Sequence, residues 1–153
     1  MPFNGLYALD VASRCIQGEC DQIEAFTGRP YQIDEVLQAV LNFNGPKWSI
    51  HYQDKAVAVA GLLQHSKTRF ESWFLSTPEC WTPGIGVTEI VKRVVAQTLE
   101  NGARRIETVC LADRTTARRW YEMIGLRFET TLEQYGVNGA KAVQYVATRE
   151  GTA

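Results

Sequence analysis

The sequence predicts a single α/β domain, a mixed sheet of about six to seven strands with flanking helices and a parallel pair near its middle. Three observations carry this prediction. Alternating apolar residues and helix-type apolar spacing trade places along the chain, with Gly, Pro, Asn and Asp at the changes. Between Trp73 and Leu111 a strand, a glycine-containing loop, an amphipathic helix and a second strand follow one another. That is the order of a β-α-β unit, and therefore of a parallel pair with a right-handed crossover. The 153 residues also contain no repeat, low-complexity tract or long linker, so one core is expected to serve 1–153.

Taken in order, Leu6 to Val11 reads as a first strand and Ser13 to Phe26 as a weak helix interrupted by Gly18. After Gly28-Arg29-Pro30, the spacing of Ile33, Val36, Leu37, Val40 and Leu41 is that of an amphipathic helix, which Asn44-Gly45-Pro46 ends. Trp48, Ile50 and Tyr52 alternate with polar residues, as does the run from Val57 to Leu63. Gln53-Asp54-Lys55 turns between them, which makes a hairpin. Ala56, Ala58 and Ala60 are expected on one face of its second strand. Arg69 to Ser76 is a third, aromatic-rich strand. A helix follows with Val87, Ile90, Val91, Val94, Val95 and Thr98 on one stripe, closed by Asn101-Gly102. Arg105 to Leu111 reads as a mostly buried strand and Thr115 to Ile124 as a helix stopped by Gly125. Two last strands, Phe128 to Gln134 and Ala142 to Thr148, are joined by a turn at Gly136 to Gly139.

Composition excludes several classes. Hydrophobic residues make up 45% and charged residues 22%, as in a globular domain. A net charge of −1 argues against nucleic-acid binding, which needs a basic stripe; Arg114, Arg118 and Arg119 form the one local cluster. Cys15, Cys20, Cys80 and Cys110 form no CxxC pair, and with two histidines there is no metal-ligand spacing, so no metal is expected. The N-terminus has no signal-peptide pattern and no apolar run is of membrane-spanning length, which predicts a cytoplasmic protein with reduced thiols.

The stretch that bears on chemistry is ECWTPGIGVTEIVKRVV, residues 79–95. Gly84-Ile85-Gly86 leads straight into the apolar helix. The first-turn amides of a helix have no intrahelical partner, and the helix dipole favours an anion there. Glycines allow such an anion to approach the backbone. The stretch therefore reads either as a tight turn into a buried helix or as a cradle for a pyrophosphate on the amides of Gly84, Gly86, Val87 and Thr88. It is neither a Walker loop nor a six-residue dinucleotide fingerprint. Further on, in RTTARRWYEMIGLRF, Tyr121 sits four residues before Gly125. It reads either as a packed side chain or as a phenol able to give a proton to a leaving thiolate.

Together these motifs resemble the core of the GNAT superfamily of acyl-CoA-dependent N-acyltransferases. The family's Gln/Arg-x-x-Gly-x-Gly/Ala corresponds to Trp81 through Gly86. Its Asn-x-x-Ala-x-x-Leu-Tyr-Glu-x-x-Gly-Phe corresponds to Arg114 through Leu126. The likeness is strong over residues 75–128 and topological over the rest. It implies a central parallel pair that splays apart, with the pantetheine of acetyl-CoA lying along Phe74, Leu75 and Ser76. It assigns further coenzyme contacts to Trp81, Gly84, Ile85, Gly86, Val87 and Thr88, and to Arg114, Ala117 and Arg118. Tyr121 becomes the general acid, and Glu71 the leading candidate for the base that deprotonates an amine, ahead of His51 and His65. The implied reaction is direct acetyl transfer to an amine of a protein or small molecule.

Three positions depart from the family pattern. Trp81 replaces Gln or Arg, Pro83 removes a backbone donor, and Arg114 replaces Asn. A narrower likeness, carried by FESWFLST and Ala117-x-Arg119-Trp120-Tyr121-x-x-x-Gly125, is to GNAT-like proteins of short-tailed bacteriophages, some of them internal virion components. It implies an alternative, a catalytically inactive protein in the virion or bound to a host protein. Under the first reading the protein works in the cytoplasm, the host's if phage-encoded; under the second it lies in the virion interior. The last strands offer a route to a homodimer.

Overall fold

The structure, a computed structural model, describes residues 2–82 and 84–149. Three helices come first: α1 (Gly5–Ser13), α2 (Gln17–Thr27) and α3 (Ile33–Asn42). The hairpin β1 (Lys47–Tyr52) and β2 (Lys55–Gln64) leads to β3 (Arg69–Ser76). A single 3-10 turn, Pro78–Trp81, precedes α4 (Val87–Glu100), β4 (Arg105–Leu111), α5 (Thr115–Met123), β5 (Arg127–Leu132) and β6 (Ala142–Thr148). Among the described residues six strands form one sheet in the order β1-β2-β3-β4-β6-β5, and of these only β3 and β4 run parallel. This is the mixed sheet with flanking helices that the sequence predicts.

The first element is corrected. Residues 6–11 are helical because Asn4 caps them, its side chain accepting from Tyr7 N at 3.0 Å. Ala8, Val11 and Ala12 then lie on one helical face and are buried, while Leu6 and Leu9 are left exposed. What remains of an N-terminal strand is one antiparallel bridge, Pro2 to Trp48. The second helix starts later than predicted, at Gln17, and takes Gly18 into its first turn without a break.

The hairpin turn is tight because Gln53 and Asp54 both adopt left-handed conformations, φ 52° and 63°. Just beyond it the pairing slips: Ile50 faces Ala58 but His51 faces Ala56, leaving Val57 as the extra residue of a bulge. The bulge separates Ala56 from Ala58. Ala56 packs with Val59 under α1 and α3, whereas Ala58 packs with Ile50 and Val87 on the other face. The shared alanine face therefore fails at Ala56.

The two sides of the sheet are covered differently. One carries α1 and α3 over Ala56, Val59, Trp73 and Leu75. The other carries α4 and α5, where Val95, Leu99 and Ile124 pack on Ile106, Cys110, Val143 and Tyr145. Among the described residues no helix is long and apolar enough to cross a membrane.

The outer strands are tied by charge. Glu129 accepts from the Arg105 guanidinium, one bond being 2.8 Å, and from Gln144 Nε2 at 2.7 Å. The Arg105 bond holds its carboxyl at about 2, below the ordinary 4.5. A depressed folded value stabilises the protein above pH 4.5, and that stabilisation is lost as pH falls toward 2. Urea titrations across that window are expected to show a shallower acid loss in Glu129→Gln than in the wild type.

Candidate active site

The parallel pair is short. Arg69, Phe70 and Glu71 of β3 pair with Arg105, Ile106 and Glu107 of β4, and beyond them the strands diverge. The Thr108 hydroxyl reaching Ser72 O at 3.4 Å is a last, long link across the gap. A cleft of about 790 Å3 fills this opening and has walls on both sides of the sheet. Glu71, Phe74, Leu75, Trp81, Arg114, Ala117 and Tyr121, all singled out in the sequence, line it.

Tyr121 approaches from the α4–α5 side. Its ring packs on Trp120 and Tyr145, at centroid distances of 6.1 and 5.5 Å. Burial raises its phenol well above the ordinary tyrosine range, with the neighbouring Cys110 adding to the shift. The group therefore stays protonated at neutral pH, as a proton donor must. Glu71, through strand alternation, belongs to the opposite side with Trp73 and Leu75. Its Oε1 meets His65 Nε2 at 2.9 Å. His51 lies apart, bonded to Ser49 Oγ at 2.8 Å and edge-on to Tyr7, and does not line the cleft.

Both glycines of the loop adopt left-handed backbone conformations. Gly84 and Gly86 have φ of 96° and 75°, values that disfavour any side chain, and nothing lies within 4 Å of a Cβ placed on either. Gly86 is the residue before α4, so the amides of Val87 and Thr88 open outward. The Val87 side chain is buried, as part of the same cluster as Ile85. These residues lie beyond the mouth of the cleft, whose wall reaches Trp81 and Ile90. Pro83 lies outside the described residues.

Trp81 does not leave an empty place where Gln or Arg would stand. Its Nε1 donates to Ser76 Oγ at 2.9 Å, and its ring meets Trp120 edge-on at 5.1 Å. Trp120 in turn donates to Thr88 Oγ1 at 3.1 Å, linking α5 to the first turn of α4. Phe74 completes this aromatic wall.

Two predicted coenzyme contacts are engaged within the protein. Arg114 Nη1 donates to Gln22 Oε1 at 2.9 Å. Arg118 turns back to Tyr145 Oη at 3.2 Å and Ala112 O at 3.0 Å, and it does not line the cleft. Leu75 points its side chain into the core below α1 and α3.

Glu19 and Gln22, both from α2, are cleft residues that the sequence reading missed. Glu19 is 7% exposed, and burial raises its carboxyl above the ordinary range, against the lowering effect of its bonds to Ser76. Its Oε1 accepts from Ser76 N at 2.7 Å and its Oε2 from Ser76 Oγ at 2.6 Å. These partners lie 57 residues away in the chain, and no local pattern signals such a contact.

No family model and no curated protein matches the sequence. Solved structures do. A ribosomal-protein-alanine N-acetyltransferase from Brucella melitensis is similar with a TM-score of 0.74 at 12% identity, over 97% of this chain and 98% of that one. A mutant form of a spermidine N-acetyltransferase from Vibrio cholerae gives 0.73 at 12%, over 98% and 94%. A GNAT superfamily phosphinothricin acetyltransferase from Sinorhizobium meliloti, in complex with acetyl-CoA, gives 0.69 at 10%, over 97% and 86%. Along nearly its whole length, the chain therefore has the fold of the GNAT acetyltransferases.

Proposed function

We propose that the protein is an acetyl-CoA-dependent N-acetyltransferase that acts on an amine by direct attack. The observation that carries this reading is the cleft through the splayed strands, which Tyr121 lines from one side of the sheet and Glu71 from the other. The amides at Gly86, Val87 and Thr88 suit the pyrophosphate. By strand parity the main-chain groups of Phe74 turn to the open side, since Thr77 N donates across to Val57 O. Those groups suit a pantetheine amide. The same edge fits less well at Ser76, whose N–H is taken by Glu19.

In this scheme a neutral amine attacks the thioester carbonyl and a carbon–nitrogen bond forms. The carbon–sulfur bond then breaks, and the thiolate takes its proton from the Tyr121 phenol. The Glu71 carboxylate, held by His65, accepts the proton lost by the amine. The acceptor is an amine of a protein or small molecule, and the site of action is the cytoplasm.

The alternative is a non-catalytic bacteriophage protein, carried in the virion or bound to a host protein. It is favoured by Trp81, which spends its indole N–H on Ser76, and by Glu19, which holds the strand edge. Thermal denaturation with acetyl-CoA separates the two readings. A ligand that binds only the folded state raises the melting temperature in proportion to RT ln(1 + [L]/Kd). A rise of several degrees at about millimolar acetyl-CoA is expected. No rise with acetyl-CoA or free coenzyme A, in a protein that co-purifies with a capsid or host component, would establish the alternative.

A further inference from the structure

The attachment of α2 differs from that of the other helices on its side of the sheet. Glu19 is its only buried residue, so its first turns adhere through polar contacts instead of an apolar face. Just ahead of the helix, Ile16 N donates to Ser76 O at 2.9 Å. Glu19 takes the Ser76 N–H and hydroxyl at 2.7 and 2.6 Å. One turn on, Gln22 Oε1 accepts from Leu111 N at 3.0 Å and from Arg114 Nη1 at 2.9 Å. The start of α2 thus ties the end of β3 to the end of β4 across the gap. The C-terminal half is anchored elsewhere, through Val137 N to Ala25 O at 3.0 Å and through Phe26 edge-on to Tyr135.

The pairing at Ser76 has a specific chemistry. Ile16 offers its carbonyl a donor and Glu19 offers its N–H an acceptor, the two groups that a ligand amide would offer to the same strand edge. We propose that the N-terminal half of α2 is a displaceable clasp, which must release Ser76 before the amide-bearing arm of an acyl carrier can lie along β3. Glu19 is then a gating residue. This rests on the acyl-CoA reading above. Opening returns a buried carboxylate to water, and that gain offsets part of the cost of the broken bonds. Glu19 is bonded by Ser76 and by the Cys15 thiol, which donates at 3.1 Å, and the Arg114 guanidinium, the Cys20 and Cys80 thiols and the Tyr31 and Tyr121 phenols face it at longer range.

The test is calorimetric binding of coenzyme A and of adenosine 3′,5′-bisphosphate, which lacks the amide arm, to the wild type, Glu19→Ala and Gln22→Ala. Affinity is reduced by the fraction of molecules whose site is closed, so removing a clasp bond is expected to tighten coenzyme A about tenfold. The bisphosphate is expected to bind all three proteins alike. In the wild type, amide hydrogen exchange over residues 16–22 should quicken when coenzyme A saturates the protein. That measurement decides the matter even if Glu19→Ala does not fold. Coenzyme A binding equally to all three, with exchange over 16–22 unchanged, would overturn the clasp and leave the acyl-CoA reading standing. Binding of neither ligand to any of them would overturn both.

Discussion

Tyr121→Phe is expected to lower the acetyl-transfer rate by about a hundredfold or more, the usual worth of a positioned general acid. The substitution removes only the hydroxyl. The ring keeps its contacts with Trp120 and Tyr145, while the hydroxyl's bonds to Thr108 and Cys110 are lost, so stability should fall by about 1–2 kcal/mol. Acetyl-CoA affinity should be unchanged, because the lost proton transfer belongs to the breakdown of the intermediate. The split is therefore in kcat with little effect on KM, read by steady-state kinetics on any accepted amine. Burial lifts the wild-type phenol above the ordinary tyrosine value, so it supplies no titration near neutral pH. A Phe variant as fast as the wild type would return Tyr121 to a packing role and leave the thiolate to take its proton from water.

The central unit was legible because its signals are local. Val87, Val91 and Val95 keep helix spacing, Arg105–Leu111 is a short apolar run, and the glycines between strand and helix mark the loop. The first element was not legible for the same reason. LYALDV is too short for its period to separate strand from helix, and the Asn4 cap decided the matter. The bulge at Val57 likewise leaves no trace in a run of small apolar residues, yet it sends Ala56 to the other side of the sheet.

The candidate site was half legible. Tyr121 and the glycine loop stand at fixed distances along the chain, and the fold brings them near one opening. Glu19 and Gln22 escaped because a polar residue on a weakly apolar helix reads as solvated surface. Their partners, Ser76, Leu111 and Arg114, lie 57 to 92 residues away. Trp81 was legible as a departure but not in its consequence. In sequence it marks the loss of one phosphate contact; in the structure it joins Ser76, Phe74 and Trp120 into the wall beside the gap. The wall also meets the start of α4, where Trp120 donates to Thr88 and packs in one cluster with Val87 and Ile85, so it supports the helix end to which the phosphate contacts are assigned.

Gly86→Glu tests the proposed phosphate cradle directly. At φ 75° a side chain costs roughly 1–2 kcal/mol of folding stability, and with nothing within 4 Å of the new Cβ no clash adds to that. The carboxylate would stand at the start of α4, where the dipole and free amides favour an incoming anion, and would repel a pyrophosphate there. Like charges in contact cost several kcal/mol, so coenzyme A affinity should fall at least about a hundredfold. Gly86→Ala carries the same backbone strain without the charge, and its affinity should fall far less. Isothermal titration of both variants, with urea unfolding as the control on folding, makes the comparison. Equal losses in the two would assign the effect to loop geometry alone, and unchanged affinity in Gly86→Glu would remove the phosphate cradle from this loop.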